Sequence, residues 1–333
     1  MLKARTIGIL IFCWLFSLGG VFGQTCCSGG VPLANNIGGL PDADKGTVQV
    51  SLNFDGNYLR TLKDGSETLE DLSRERTTYS MLLRTAYTFS DKAIVELLLS
   101  GIQQERRIDQ NGFQDITITR GLGDAVLMFY YKYFNTNNLN LFLGAGPKVP
   151  TGPSDLKNDN GITLNADLQP GSGAWDAILH HRVSMNIKSR PSAVVTHYMT
   201  YRMTGANPDY LGSQVYEFGN EFQTVMGISE QKAIGKFLTS YGLNLRYRYA
   251  QQDRNNEEWI PNTGGQWVFI VPAFSWYTTP NMALTVNADL PIHSNVAGTQ
   301  LTPSFRINAG LYFTIKSNRS RIIGNENELL KIK

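Results

Sequence analysis

The chain has 333 residues, a formal charge of +2 and only 17% charged residues, with a mean hydropathy of −0.21. These values exclude a helical membrane protein and a charge-rich soluble one. They also exclude a nucleic-acid partner, because neutralising phosphates needs a basic surface.

Lys3 and Arg5 precede an apolar run, Ile7 to Leu18, and Val21-Phe22-Gly23 offers a cleavage site before Gln24. This pattern predicts a secretory signal peptide over residues 1–23. No later stretch approaches the ~18 uninterrupted apolar residues of a membrane helix. A Gly-rich lead over 24–45 follows, with Cys26 and Cys27 side by side. Gln24-Thr25 stand where a lipoprotein needs a small residue, so a vicinal disulfide or two thiols is expected there, with no long-range staple. The sequence has no phosphate-cradling glycine loop, zinc-spaced Cys/His set or EF-hand pattern, so neither cofactor nor metal is expected.

From residue 46 the chain alternates with period two, which places successive side chains on opposite faces of a sheet. Val48, Val50, Leu52 and Phe54 oppose Gln49, Ser51, Asn53 and Asp55 in a first strand. After a charged loop, Tyr79, Met81, Leu83, Tyr87 and Phe89 oppose Ser80, Arg84 and Thr88. Leu97 and Leu99 then oppose Glu96 and Ser100. A polar loop to Arg120 leads into a hairpin. Ala125, Leu127, Phe129, Tyr131 and Tyr133 share one face with Leu139, Leu141, Leu143 and Ala145, while Asp124 and Lys132 take the other.

Beyond Gly152 lies the longest irregular segment, to about Trp175. Strand six opposes Leu179, Val183 and Met185 to His180, Arg182, Ser184 and Lys188, and strand seven opposes Val195, Met199 and Tyr201 to Thr196, Thr200 and Arg202. Strand eight is expected to carry Tyr216, Phe218, Phe222 and Met226 against Glu217, Glu221 and Gln223. Strand nine alternates from Phe237 to Tyr249 against Asn244, Arg246 and Arg248. Strand ten (about Gln266 to Tyr277) is apolar on both faces and its register is ambiguous. Strands eleven and twelve set Leu284, Val286 and Leu290 against Asp289, and Phe305, Ile307 and Phe313 against Arg306 and Asn308.

The connections read long, short, long, short, long, short, medium, medium, long, short, long. Short periplasmic turns alternating with longer outside loops mark an up-and-down membrane barrel. Twelve strands return the C-terminus to the side of the N-terminus, and closure removes exposed edges. The expected fold is all-β: a single up-and-down antiparallel transmembrane β-barrel over 46–316, in the outer membrane of a Gram-negative cell, with a periplasmic tail over 317–333. Outer-membrane lipid is its expected partner.

The hairpin also resembles a known family. The G-L-G-D run at Gly121, Gly123 and Asp124, the G-x-G-x-K run from Gly144 to Lys148, and Pro150-Thr151-Gly152 are similar to motifs of the meta-pathway phenol-degradation family of outer-membrane proteins. That family is distantly similar to barrels that import fatty acids and aromatic hydrocarbons. The resemblance implies passage of small hydrophobic or aromatic compounds. Two features depart from it: the lead is short for a plug, and the chain runs on past its last strand.

With the greasy faces toward lipid, Arg84, Glu96, Lys132, Arg182, Lys188, Glu217, Glu221, Arg246, Arg248, Asp289 and Arg306 face the lumen. Arg or Lys facing lipid near mid-membrane would cost about 2–4 kcal/mol each. These charges either select permeants or pair across a filled lumen, and the two readings stand level. The segment Ser154 to Ala174 is either an inward lid or an exposed loop. The rival classes are a structural or adhesive barrel and a lipid-modifying enzyme. For the enzyme, His181 and His197 are outward, but only Thr224 is offered as a nucleophile on strands five to eight.

Overall fold

A computed structural model describes residues 43–110, 112–235 and 237–316. The predicted signal peptide, Cys26, Cys27 and the tail from 317 lie outside these residues, as does most of the lead.

Twelve antiparallel strands form the wall: β1 (Val48–Asp64), β2 (Arg74–Ser90), β3 (Ala93–Gln110), β4 in two segments (Phe113–Leu122 and Ala125–Asn135), β5 (Leu139–Val149) and β6 (Asp176–Ile187). They continue as β7 (Arg190–Met203), β8 (Glu221–Ile234), β9 (Phe237–Ala250), β10 (Gly265–Thr279), β11 (Met282–Val296) and β12 (Thr299–Ile315). Each strand pairs with its chain neighbours, and β12 returns to β1, with Val48 opposite Ile315 and Asp64 opposite Thr299. The sheet is therefore closed into a barrel, with the protruding segment Phe113–Leu122 paired on one side.

Burial follows the alternation. Leu52, Phe54, Met81, Leu83, Leu97, Phe129, Leu243 and Ile307 are exposed on the outer face, while Ser51, Asn53, Ser80, Arg84, Glu96, Arg246 and Asn308 are buried. Grease outward and polarity inward is the pattern a closed sheet needs in lipid. Strand ten resolves with Trp267, Phe269 and Val271 buried and Ile270, Phe274 and Trp276 exposed. A register shift between Val268 and Phe269 accompanies this.

Three expected features change. The connections after β3 and β11 are not long loops: β3 runs on to Gln110 with β4 resuming at Phe113, and β11 runs on to turn at 297–298. Polar residues past the apolar band still complete the ladder, as in Arg106 opposite Thr117. The eighth wall strand begins at Glu221 rather than Tyr216. The chain before it forms two short strands, Ala206–Tyr210 and Gln214–Glu217, which join Arg254–Asn255 and Glu258–Trp259 in a separate four-stranded sheet at the long-loop end.

Candidate functional site: the barrel lumen

The lumen begins with the G-L-G-D turn. Gly123 and Asp124 interrupt β4, and Gly123 donates its N–H to Ser100 O across the break. Asp124 is turned inward and gathers what lies around it. Lys148 Nζ is 2.8 Å from its Oδ2, Ser172 donates to it from N–H and Oγ, and Gly152 N–H donates to Oδ1 at 3.1 Å. Thr151 Oγ1 accepts from Ala125 N–H and donates to Gly123 O. A side chain at Gly152 would strike Gly171, and one at Gly146 would strike the Leu127 carbonyl. The motif glycines therefore let the base of segment 150–175 close onto the wall, with Asp124 clamping both of its ends.

Lys148 starts a ladder across the inner wall. It lies 3.1 Å from Asp176, Asp176 3.9 Å from Arg202, Arg202 3.2 Å from Glu221, and Glu221 3.1 Å from Arg248. With Asp124 at the break in β4, one residue comes from each of six adjacent strands, β4 to β9, and the signs alternate. Arg248 then lies over the Trp267 ring, 5.0 Å from its centroid, on β10. Each charge within the ladder is offset by opposite charges on both sides, and Arg248 at its end by Glu221 and the Trp267 ring, as buried ions require.

The other predicted lumen charges are also paired or stacked. Arg84 lies 3.2 Å from Glu96, Arg246 2.6 Å from Asp289, and Arg306 2.9 Å from Asp55. Arg182 and Lys132 lie over the ring of Phe142, 4.0 and 5.3 Å from its centroid. Two residues are elsewhere. Glu217 belongs to the outer sheet and pairs with Arg254 at 3.2 Å, because the barrel strand starts four residues later. Lys188 is exposed in the short turn after β6.

Segment 150–175 folds inward. Leu164, Ala166, Leu168, Gln169 and Ala174 are buried, and Ala166–Leu168 form a 3-10 turn. Arg76 of β2 holds that turn, with Nη1 2.7 Å from Asp167 Oδ2 and a second bond to the Asp167 carbonyl. Thr119 Oγ1 donates to Leu168 O at 2.7 Å. The outer sheet covers it: Tyr210, Tyr216 and Phe218 pack with Ala166 against Ile260, and Tyr210 Oη accepts from Ala166 N–H. Asp253 fastens that sheet, accepting from Tyr216 Oη and Gly219 N–H at 2.7 and 2.8 Å. Burial pushes the Asp253 carboxyl up to about 6.

Arg76 and Asp176 went unread because the expected strands stopped short. Each has the inward parity of its strand, Arg76 with Ser80 and Arg84, Asp176 with His180 and Arg182. Asp167 carried no signal, since an irregular segment has no period.

The wall also has an apolar strip. Tyr198, Val225, Trp267, Phe269, Val271 and Val296 form one buried cluster. Below it, toward the short turns, a cavity of about 270 Å³ opens among β1 and β7 to β12. On the outer face, His181 Nε2 lies 2.8 Å from Tyr133 Oη and His197 Nε2 2.9 Å from Thr224 Oγ1. Among the described residues no group of His, Cys, Asp and Glu could hold a metal.

This closed wall, greasy outside and ion-paired inside, defines a β-barrel of the transmembrane kind. No protein family and no curated protein matches the chain. Among solved structures it is similar to the COG4313 outer membrane channel from Pseudomonas putida F1, at 14% identity over 82% of this chain and 97% of that one, with a TM-score of 0.64. It is more distantly similar to the beta domain of the Bordetella autotransporter BrkA (9% identity, 81% and 100% covered, TM-score 0.47) and to the CymD monoaromatic hydrocarbon channel (9%, 88% and 99%, 0.42). The first is a likeness of fold, and the other two are too remote to add to it.

Proposed function

We propose that the chain is an outer-membrane channel of a Gram-negative cell that passes small hydrophobic or aromatic compounds through its lumen without covalent chemistry. The apolar strip on the inner wall carries this reading. Trp267 and Phe269 face inward beside Arg248 and Arg246, and Tyr198 reaches from the strip to the cavity below. A lumen for ions alone gains nothing from inward aromatic rings, whereas an apolar permeant sheds water against the Tyr198 ring where the strip borders the cavity. The G-L-G-D and P-T-G resemblance and the fold shared with an outer membrane channel agree with this reading. Segment 150–175 would then narrow the outer mouth, as inward loops do in barrels with a gated or selective lumen.

The test is blockade in planar bilayers. Added toluene or phenol interrupts the single-channel current, and Tyr198→Ala shortens the interruptions. A current indifferent to both compounds would remove the aromatic permeant.

A second reading, a structural or adhesive barrel with a filled lumen, is favoured by the Arg76–Asp167 lock. A third, a lipid-modifying enzyme, would use His197 as base and Thr224 as nucleophile. It would require phospholipid hydrolysis that disappears in His197→Ala.

A further inference from the structure

The cavity at the short-turn end differs chemically from the lumen above it. Ser51, Thr196, Ser240, Ser275, Asn244 and Asn287 are among its lining residues, the rings of Tyr198, Tyr277 and Tyr312 stand with aliphatic side chains such as Val194 between them, and no Asp, Glu, Lys or Arg lines it. The charged ladder ends above it. Arg246 and Asp289, whose strands also contribute to the cavity, neutralise each other at 2.6 Å. Several strands thus converge on one uncharged space, whose polar groups are hydroxyls and amides and whose remaining wall is aromatic and aliphatic.

We infer that this cavity is a binding site for a neutral hydroxylated six-membered ring. The inference rests on the channel reading and names its substrate class. Hydroxyl and amide groups both donate and accept, so they can satisfy a ligand hydroxyl whichever way its proton points. The tyrosine rings offer flat apolar faces for the ring itself. Tyr312 is held in place, since Gln49 Nε2 and Thr314 Oγ1 both donate to its hydroxyl, at 2.7 and 2.8 Å. The volume of about 270 Å³ suits one ring and falls below the range of drug-sized pockets. A carboxylate is disfavoured, because it would lose its water with no cation on the wall to replace it. Two sources share this chemistry, a phenol and a cyclic polyol. They differ in whether the tyrosine faces or the hydroxyl groups contribute more.

Equilibrium binding to the purified full-length barrel in detergent, by calorimetry, separates them. The probes are phenol, glucose and benzoate. Binding of phenol or of glucose, with benzoate weaker by about tenfold or more, is the expected result, and whichever neutral ring binds identifies the source. Ser240→Trp fills the space and weakens binding by about tenfold. Gly101→Ala, on β3 away from the cavity and with nothing within 4 Å of the added methyl, keeps wild-type binding, and an unchanged β-sheet circular-dichroism spectrum shows that Ser240→Trp is folded. Benzoate binding as tightly as the neutral rings, no binding of either neutral ring at millimolar concentration, or binding untouched by Ser240→Trp would overturn the inference. Because the measurement is made without a membrane, binding without current refutes the channel and keeps the site, and current without binding does the reverse.

Discussion

Lys148 Nζ lies 2.8 Å from Asp124 Oδ2, with both side chains sealed from solvent. The pair joins β4 to β5 at the point where β4 breaks, and Asp124 also holds both ends of segment 150–175. Removing one partner of such a buried pair strands the other, at a cost of ~3–5 kcal/mol. Asp124→Ala should lower the denaturation midpoint in detergent by that order and expose residues 154–174 to added protease. The double variant Asp124→Leu/Lys148→Met should recover part of the stability but not the protease resistance, because Gly152 and Ser172 still lose their acceptor.

Gly146 faces the Leu127 carbonyl so closely that a methyl group there must part β4 from β5. Gly146→Ala should destabilise the barrel by about 2 kcal/mol or more, within the range of overpacking. Gly101 has nothing within 4 Å of an added Cβ. Gly101→Ala should therefore stay within about 0.5 kcal/mol of wild type. Equal effects on thermal midpoints would refute the contact.

The burial that raises Asp253 makes the outer sheet sensitive to pH. The folded chain keeps a proton that the unfolded chain releases near 3.8, and gives it up only near 6. The stabilisation is therefore complete below the lower value and lost as pH rises through the upper one. Protection of the sheet in hydrogen exchange should fall between these two pH values. Asp253→Asn, neutral throughout, should abolish the dependence.

Much of this was legible in the sequence. Strand count, closure and the facing of Arg84, Glu96, Arg246, Asp289 and Arg306 all follow from period-two alternation, which depends on nothing outside the strand. What that signal lacks is an end-point. Beyond the apolar band both faces are polar, so β3, β4 and β11 run further than the pattern predicts, and Glu217 keeps the parity of a wall strand that begins only at Glu221. Strand ten was apolar on both faces, which hid the inward aromatic strip. The ladder from Asp124 to Arg248 needs neighbours from six strands, and their relative registers are set by turns and bulges rather than by any one strand's pattern.

Arg76 pins the inward turn through Asp167, so its removal should release that turn from the wall. Arg76→Ala should enlarge the opening and leave the twelve wall strands paired, since Arg76 lies outside the ladder from Asp124 to Arg248.

Planar-bilayer recording of wild type and Arg76→Ala tests the channel most directly. Discrete current steps from the wild-type barrel, larger in Arg76→Ala, are the predicted result. Silence from both folded proteins would contradict the channel and leave a filled structural barrel.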